Sequence, residues 1–317
     1  MTTKSFKELC EQLELTPHYE QESQLRALES WSYQNISQDV RFEGDELQQY
    51  NQYLAFVSNY LDNFIPHVSG DLAKKIPQIE NLNIIQYAVN QGYDRFITDL
   101  TTIPQDLLNE GDLYDMTPLH KSAVAGHVFT VRALLKKGAN VRKINRQQQY
   151  PLFSALFVPI LHDANWIKSK EVIFKDLLPC APELLFEPDI AGDTVIHQMA
   201  AQGFDELIKE ILSTHPKLAF IKNNASVYPV HTAILNQKFG PLKTLLAIPG
   251  VSTLVDSKKR IPLHYAARYG NALVIEQCCL ATKDLNMLDQ NHKTPLLLAI
   301  EADNKEAIEI LQKHGAQ

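Results

Sequence analysis

Apolar residues recur along most of this chain at helical, not strand, spacing. Val131, Leu134 and Leu135 form one such set, and Leu207, Ile208, Ile211 and Leu212 a second. Leu242, Leu245 and Leu246, then Ala307, Ile308, Ile310 and Leu311, repeat the pattern. Spacings of three and four put each set on one face of a helix. Nearer the N-terminus, Leu47, Tyr50, Leu54, Val57, Leu61 and Phe64 step by 3, 4, 3, 4 and 3, an amphipathic helix stopped at Pro66. No apolar run is long enough to span a bilayer.

The polar positions between these faces carry a period. Thr117-Pro118-Leu119-His120 returns as Ile261-Pro262-Leu263-His264. The same slot holds Thr194-Val195-Ile196-His197, Tyr228-Pro229-Val230-His231, Thr294-Pro295-Leu296-Leu297, Tyr150-Pro151-Leu152-Phe153 and a degenerate Asn83-Ile84-Ile85-Gln86. The fourth residues, 86, 120, 153, 197, 231, 264 and 297, are separated by 34, 33, 44, 34, 33 and 33. Further columns keep the register. Small residues dominate two past the slot, and glycine stands six past it at Gly92, Gly126, Gly203 and Gly270. Asp or Asn stands eight before it, at Asp112, Asn145, Asp189, Asn223, Asp256 and Asp289.

These columns resemble the ankyrin repeat over about residues 78–317. The resemblance implies an all-α solenoid of about seven helix pairs with short projecting β-turn fingers, stabilised by neighbour packing because no single repeat has its own core. Proline suits the first helical turn, and Thr117 and Thr294 are placed to cap it. Glycine permits the reversal into the second helix, and the Asp or Asn supports the finger turn. In this family the slot histidine is a structural hydrogen bonder, so His120, His197, His231 and His264 are expected to bind no metal.

Two regions depart from the period. The 44-residue interval places about eleven extra residues in the third repeat, assigned to the tract 159–170 as a lengthened bend before a helix near Val172–Leu178. Residues 1–76 lie outside the repeat, with Ser5-Phe6-Lys7-Glu8 as a capping box, and read as a helical N-terminal cap ahead of an ankyrin domain at 77–317.

Charge narrows the partner class. Residues 1–66 carry four basic and eleven acidic residues, 4 − 11 = −7, equal to the whole net charge of −7, so the remainder is neutral. That disfavours nucleic acid, whose phosphates call for a basic stripe. The N-terminus lacks the apolar stretch of a signal peptide, and Cys10, Cys180, Cys278 and Cys279 have no C-x-x-C spacing, which suits buried thiols in the cytoplasm. There is no H-E-x-x-H, phosphate loop, dinucleotide fingerprint or nucleophile elbow. Cys10 with His18 lacks the shaped pocket a cysteine hydrolase needs. No enzyme, cofactor or membrane insertion is expected.

The resemblance implies a monomeric scaffold or adaptor that binds a protein along its concave surface of finger tips and first helices. In that register the partner-binding candidates are Tyr114, Met116, Arg146, Gln147, Phe157, Leu235, Lys258, Lys259, Arg260, Arg268 and Tyr269, with Trp166 from the insertion. The basic run Lys258–Arg260 implies an acidic partner there. An alternative reading, from the Gln, Asn, Ile and Lys content and the degenerate copies, is an effector delivered into a host cytosol by an intracellular bacterium. The solenoid would then target it and residues 1–76 would serve delivery or activity.

Overall fold

The computed structural model describes residues 84–91, 97, 103–158 and 164–317. The expected N-terminal cap, its Leu47–Phe64 seam, Cys10 and His18 lie outside the described residues, as do residues 159–163. The chain divides into two compact units. One comprises residues up to Leu108 with Lys136–Gly138, and the other comprises Asn109–Leu135 with Ala139–Gln317. The first contains α1 (Ile84–Gln91), which carries the degenerate slot Gln86. A short α2 (Gln105–Asn109) ends at its border.

The second unit holds repeats two to seven as six helix pairs, and all seven slot residues of the chain lie on helices. The pairs are α3 (Pro118–Ala125) with α4 (Val128–Lys136) and α5 (Pro151–Ser154) with α6 (Ala164–Leu177). Next come α7 (Val195–Gln202) with α8 (Asp205–Thr214) and α9 (Pro229–Leu235) with α10 (Phe239–Leu246). The last are α11 (Pro262–Tyr269) with α12 (Ala272–Ala281) and α13 (Pro295–Glu301) with α14 (Lys305–Lys313). No strand occurs among the described residues.

The columns do their expected work locally. Five first helices begin on proline, and the Thr117 and Thr294 hydroxyls accept from the His120 and Leu297 amides. First helices pack on their own second helices, as α7 does on α8, α9 on α10 and α11 on α12, and on the next first helix, as α7 does on α9, α9 on α11 and α11 on α13. Ser122, Ala155, Ala233, Ala266 and Ala299, two past the slot, are fully buried, and small side chains there let the helices approach. Gly126 and Gly203 adopt left-handed φ of 76° and 102°, the helix-ending conformation glycine favours. Gly270 does not, having φ −78°. Its requirement is space, since a Cβ there would sit 2.6 Å from the Ala266 carbonyl oxygen.

The insertion differs from the bend read in the sequence. Helix α6 begins at Ala164, so the second half of the 159–170 tract is helical, and α6 runs 14 residues where the other second helices run 8 to 10. Lys170 explains why. Its side chain is fully buried, and its ammonium donates to the carbonyls of Ala123, Val124 and Ser154 at the C-terminal ends of α3 and α5. Helix ends leave such carbonyls unpaired and carry partial negative charge, so a cation there is favoured. Asn304 does the same later in the array, donating to the Ala267 and Gly270 carbonyls at 3.2 and 3.1 Å. Burial lowers the Lys170 pKa to about 7.

Cys278 and Cys279 are buried as expected, whereas Cys180 is exposed at the end of the turn that follows α6.

Candidate protein-binding surface

Each finger is stitched by one carboxylate or amide. Oδ1 of Asp112 accepts from the Tyr114 and Met116 amides at 2.8 and 3.0 Å, and Asn145 does so from Gln147 and Gln149 at 2.9 and 3.0 Å. Asp189, Asn223, Asp256 and Asp289 repeat the arrangement. Closing the turn requires a left-handed residue five before the slot. That residue is Gly192 in repeat four, but Asp115, Gln148, Ser226, Lys259 and His292 elsewhere, at φ from 56° to 61°. Side chains rarely adopt this conformation, at a cost of about 1–2 kcal/mol each.

The slot histidines join finger to finger. His120 Nδ1 accepts from the Thr117 amide at 3.2 Å and meets its hydroxyl at 2.8 Å, while Nε2 reaches the Gln149 carbonyl of the next finger at 3.0 Å. The network therefore places the proton on Nε2. His197 reaches the Val227 carbonyl at 3.1 Å, and His264 the Lys293 carbonyl at 3.2 Å. Burial depresses all four pKa values, to about 4 for His120 and His231, so the imidazoles are neutral at pH 7. Both ring nitrogens of His120, His197 and His264 are committed to backbone. Among the described residues no group of three His, Cys, Asp or Glu is arranged to hold a metal ion.

One junction differs. Fingers are linked in series by a single backbone bond, from Arg146 to the Tyr114 carbonyl (3.0 Å), Ile190 to Gln147 (2.9 Å), Asn224 to Ala191 (3.0 Å) and Gln290 to Lys258 (2.8 Å). The equivalent bond from Ser257 to Ala225, joining fingers five and six, is not formed. His231 Nε2 lies near the corresponding Arg260 carbonyl but outside hydrogen-bond geometry, although the ring is fully buried. Local chemistry accounts for this. Tyr265 stands one past the slot and packs its ring 4.7 Å from that of His231. Its hydroxyl donates to Asp256 at 2.8 Å, and the Arg260 guanidinium lies over the ring while pairing with Asp256 at 2.6 Å.

The sequence candidates divide on this frame. Tyr114, Phe157, Leu235 and Tyr269 are exposed by 68, 47, 45 and 44%, and Arg146, Gln147, Lys258, Lys259 and Arg268 are also exposed. Arg268 lies over the Tyr269 ring at 5.4 Å. Met116 is half-buried, its sulfur accepting from Asn145 at 3.3 Å. Arg260 is turned inward onto Asp256 and Tyr265, so the basic run presents two free cations, not three. Trp166 is half-buried beside Gly126, with the Lys170 ammonium 5.5 Å from its ring centroid. Sequence register missed Leu113 and Ile190, exposed by 64 and 58% seven before the slot. Their apolar character at a finger position was the available signal.

Comparison with known proteins agrees with this geometry. Residues 230–317 match the family described as ankyrin repeats in three copies, and residues 114–146 match the single ankyrin repeat. Human transient receptor potential cation channel subfamily A member 1 is 26% identical over 223 residues, 67% of this chain but 18% of that protein. The Caenorhabditis elegans homologue is 24% identical over 204 residues, 64% of this chain and 16% of its own length. The chain thus spans under a fifth of these relatives. Saccharomyces cerevisiae probable 26S proteasome regulatory subunit p28 is 27% identical over 207 residues, 63% of this chain and 86% of that one. Among solved structures, the human ASB11 ankyrin repeat domain aligns with TM-score 0.59 at 21% identity, covering 74% of this chain and 98% of that one. The Bcl-3 ankyrin repeat domain aligns with TM-score 0.54 at 20% identity, over 72 and 97%. No helix among the described residues is long and apolar enough to cross a membrane. By its repeat register, its finger geometry and these matches, the chain belongs to the ankyrin-repeat family.

Proposed function

We propose that this chain is a non-catalytic scaffold or adaptor, holding a protein partner on the finger tips and first helices of repeats two to six. The observation that carries the reading is the exposure of Tyr114, Phe157 and Tyr269 on fingers and first helices that are fixed by the Asp and Asn turn bonds. Rigidly mounted aromatics and arginine are the side chains that most often anchor interfaces. Tyr114, Phe157, Arg268 and Tyr269 are the anchors, with Leu235, Arg146 and Gln147 between them. The yeast relative, by name a regulatory subunit of the 26S proteasome, belongs to a protein assembly, which fits the reading. The free thiols of Cys180, Cys278 and Cys279 fit a reducing, cytosolic setting.

The test uses a partner recovered with the intact chain and identified by mass spectrometry. Joint alanine substitution of the four anchors, with circular dichroism confirming the fold, is expected to weaken binding at least about tenfold, roughly 1.4 kcal/mol. Substitution of Phe129, Leu273 and Leu280, exposed on second helices, serves as the control. A loss confined to the control would overturn the assignment.

A further inference from the structure

Basic side chains on the finger tips and exposed first-helix positions are mostly neutralised. Lys121 pairs with Asp112, Arg146 with Asp115, Arg260 with Asp256 and Lys293 with Glu301. Among the described residues of this face, Lys258, Lys259 and Arg268 have no carboxylate partner, and all three belong to repeat six. They are exposed, and Arg268 is stacked beside the exposed Tyr269 ring. Tyr269 in turn packs 6.3 Å from Tyr265, whose hydroxyl is held by Asp256. Arg268 therefore stands on a braced aromatic platform, and Asp256, the acid nearest to Lys258 and Lys259 in sequence, is fully spent on Arg260, Tyr265 and the finger backbone.

Repeat six also borders the one junction where neither the finger-to-finger backbone bond nor the histidine tie is formed. A buried imidazole N–H without an acceptor is costly, about 1–3 kcal/mol, so finger six gains by a small movement toward finger five. Lys259 occupies the left-handed position at the tip of that finger, at φ 57°, where glycine would relieve the backbone.

We infer that repeat six is the docking point for an acidic, extended stretch of the partner, its carboxylates on Lys258, Lys259 and Arg268 and an apolar side chain on Tyr269. This rests on the protein-binding reading and names the chemistry recognised at one end of the face. Carboxylates supply the charge this repeat lacks, and an exposed three-cation site steers an anionic segment at low ionic strength. Closure of finger six onto the ligand would complete the Ser257–Ala225 bond and the His231–Arg260 tie.

The test pans a phage-displayed random dodecapeptide library on the full chain and measures each enriched peptide by fluorescence anisotropy. Three variants are compared, K258E/K259E/R268E, K258Q/K259Q and Y114A/F157A, with circular dichroism confirming the fold of each. Support is enrichment of net-acidic peptides that lose at least about tenfold affinity on K258E/K259E/R268E and less on K258Q/K259Q. They would also weaken as salt rises and slow hydrogen exchange at the Ser257 amide. Neutral or basic winners sensitive only to Y114A/F157A would overturn the repeat-six site while leaving the wider face standing. Winners insensitive to every variant, or no enrichment at all, would overturn both.

Discussion

His120 and His231 occupy equivalent slots and are equally buried, yet the structure gives them unequal work, so replacing each by alanine separates hydrogen bonding from packing. The His120 ring is held at Nδ1 by the Thr117 amide and hydroxyl and at Nε2 by the Gln149 carbonyl. The His231 ring has the Tyr228 amide at 3.3 Å, and its Nε2 has no partner. Both substitutions lose buried ring contacts, about 1–2 kcal/mol for His120 and somewhat more for His231, whose ring packs 4.7 Å from Tyr265 and 5.8 Å from Tyr228. His120→Ala also strands the Thr117 hydroxyl and the Gln149 carbonyl at about 1 kcal/mol per lost bond, for a total near 3–4 kcal/mol. His231→Ala gives up one long bond and removes an orphaned donor, so it is expected to cost about 1–2 kcal/mol less. Urea unfolding followed by circular dichroism measures the difference, with the slope checked because repeat arrays can lose two-state cooperativity. If His231→Ala is as destabilising as His120→Ala, the tie between fingers is not what the slot histidine contributes.

Other expectations follow from the same geometry. The four slot imidazoles titrate below their unfolded value near 6.5, so their stability is fully present above that pH and is lost as pH falls toward 4. Each contributes a slope of up to about 1.4 kcal/mol per pH unit, and a flat melting temperature between pH 6.5 and 4 would count against their burial as neutral rings. Lys170, lowered from 10.5 to about 7, gives wild type a stability gain between pH 7 and 10.5 that Lys170→Met lacks, read as diverging melting temperatures. Gln148→Gly, at φ 58°, should raise stability by up to about 1 kcal/mol, because relief of the left-handed strain outweighs the added freedom of the unfolded chain. A drop in the thermal midpoint would refute it.

The repeat was legible because its columns are fixed by backbone needs: proline at the first turn, a small residue between helices, an Asp or Asn under each finger. Those needs recur with the period and leave a mark in every copy. What single-column reading could not give was how residues of different columns combine. Arg260 reads as one of three surface cations, but Asp256 four positions earlier and Tyr265 five positions later draw it inward. Lys170 reads as a loop cation, and only the shortness of α5 and the carbonyls at the C-terminal end of α3 make it a buried helix-end partner. The weak junction between fingers five and six has a sequence trace in Tyr265, where the other copies from repeat two onward carry Lys121, Ser154, Gln198, Thr232 and Leu298. That trace has meaning once the ring is seen against His231.

Protein recognition on the finger-and-first-helix face is tested most directly by hydrogen-exchange mass spectrometry of the intact chain with and without its recovered partner. The predicted result is slowed exchange in finger segments 113–116, 146–149 and 257–260 and in residues 264–269 of α11, with the second helices α4, α8 and α12 unchanged. Protection confined to those second helices, or to residues 1–76, would contradict it.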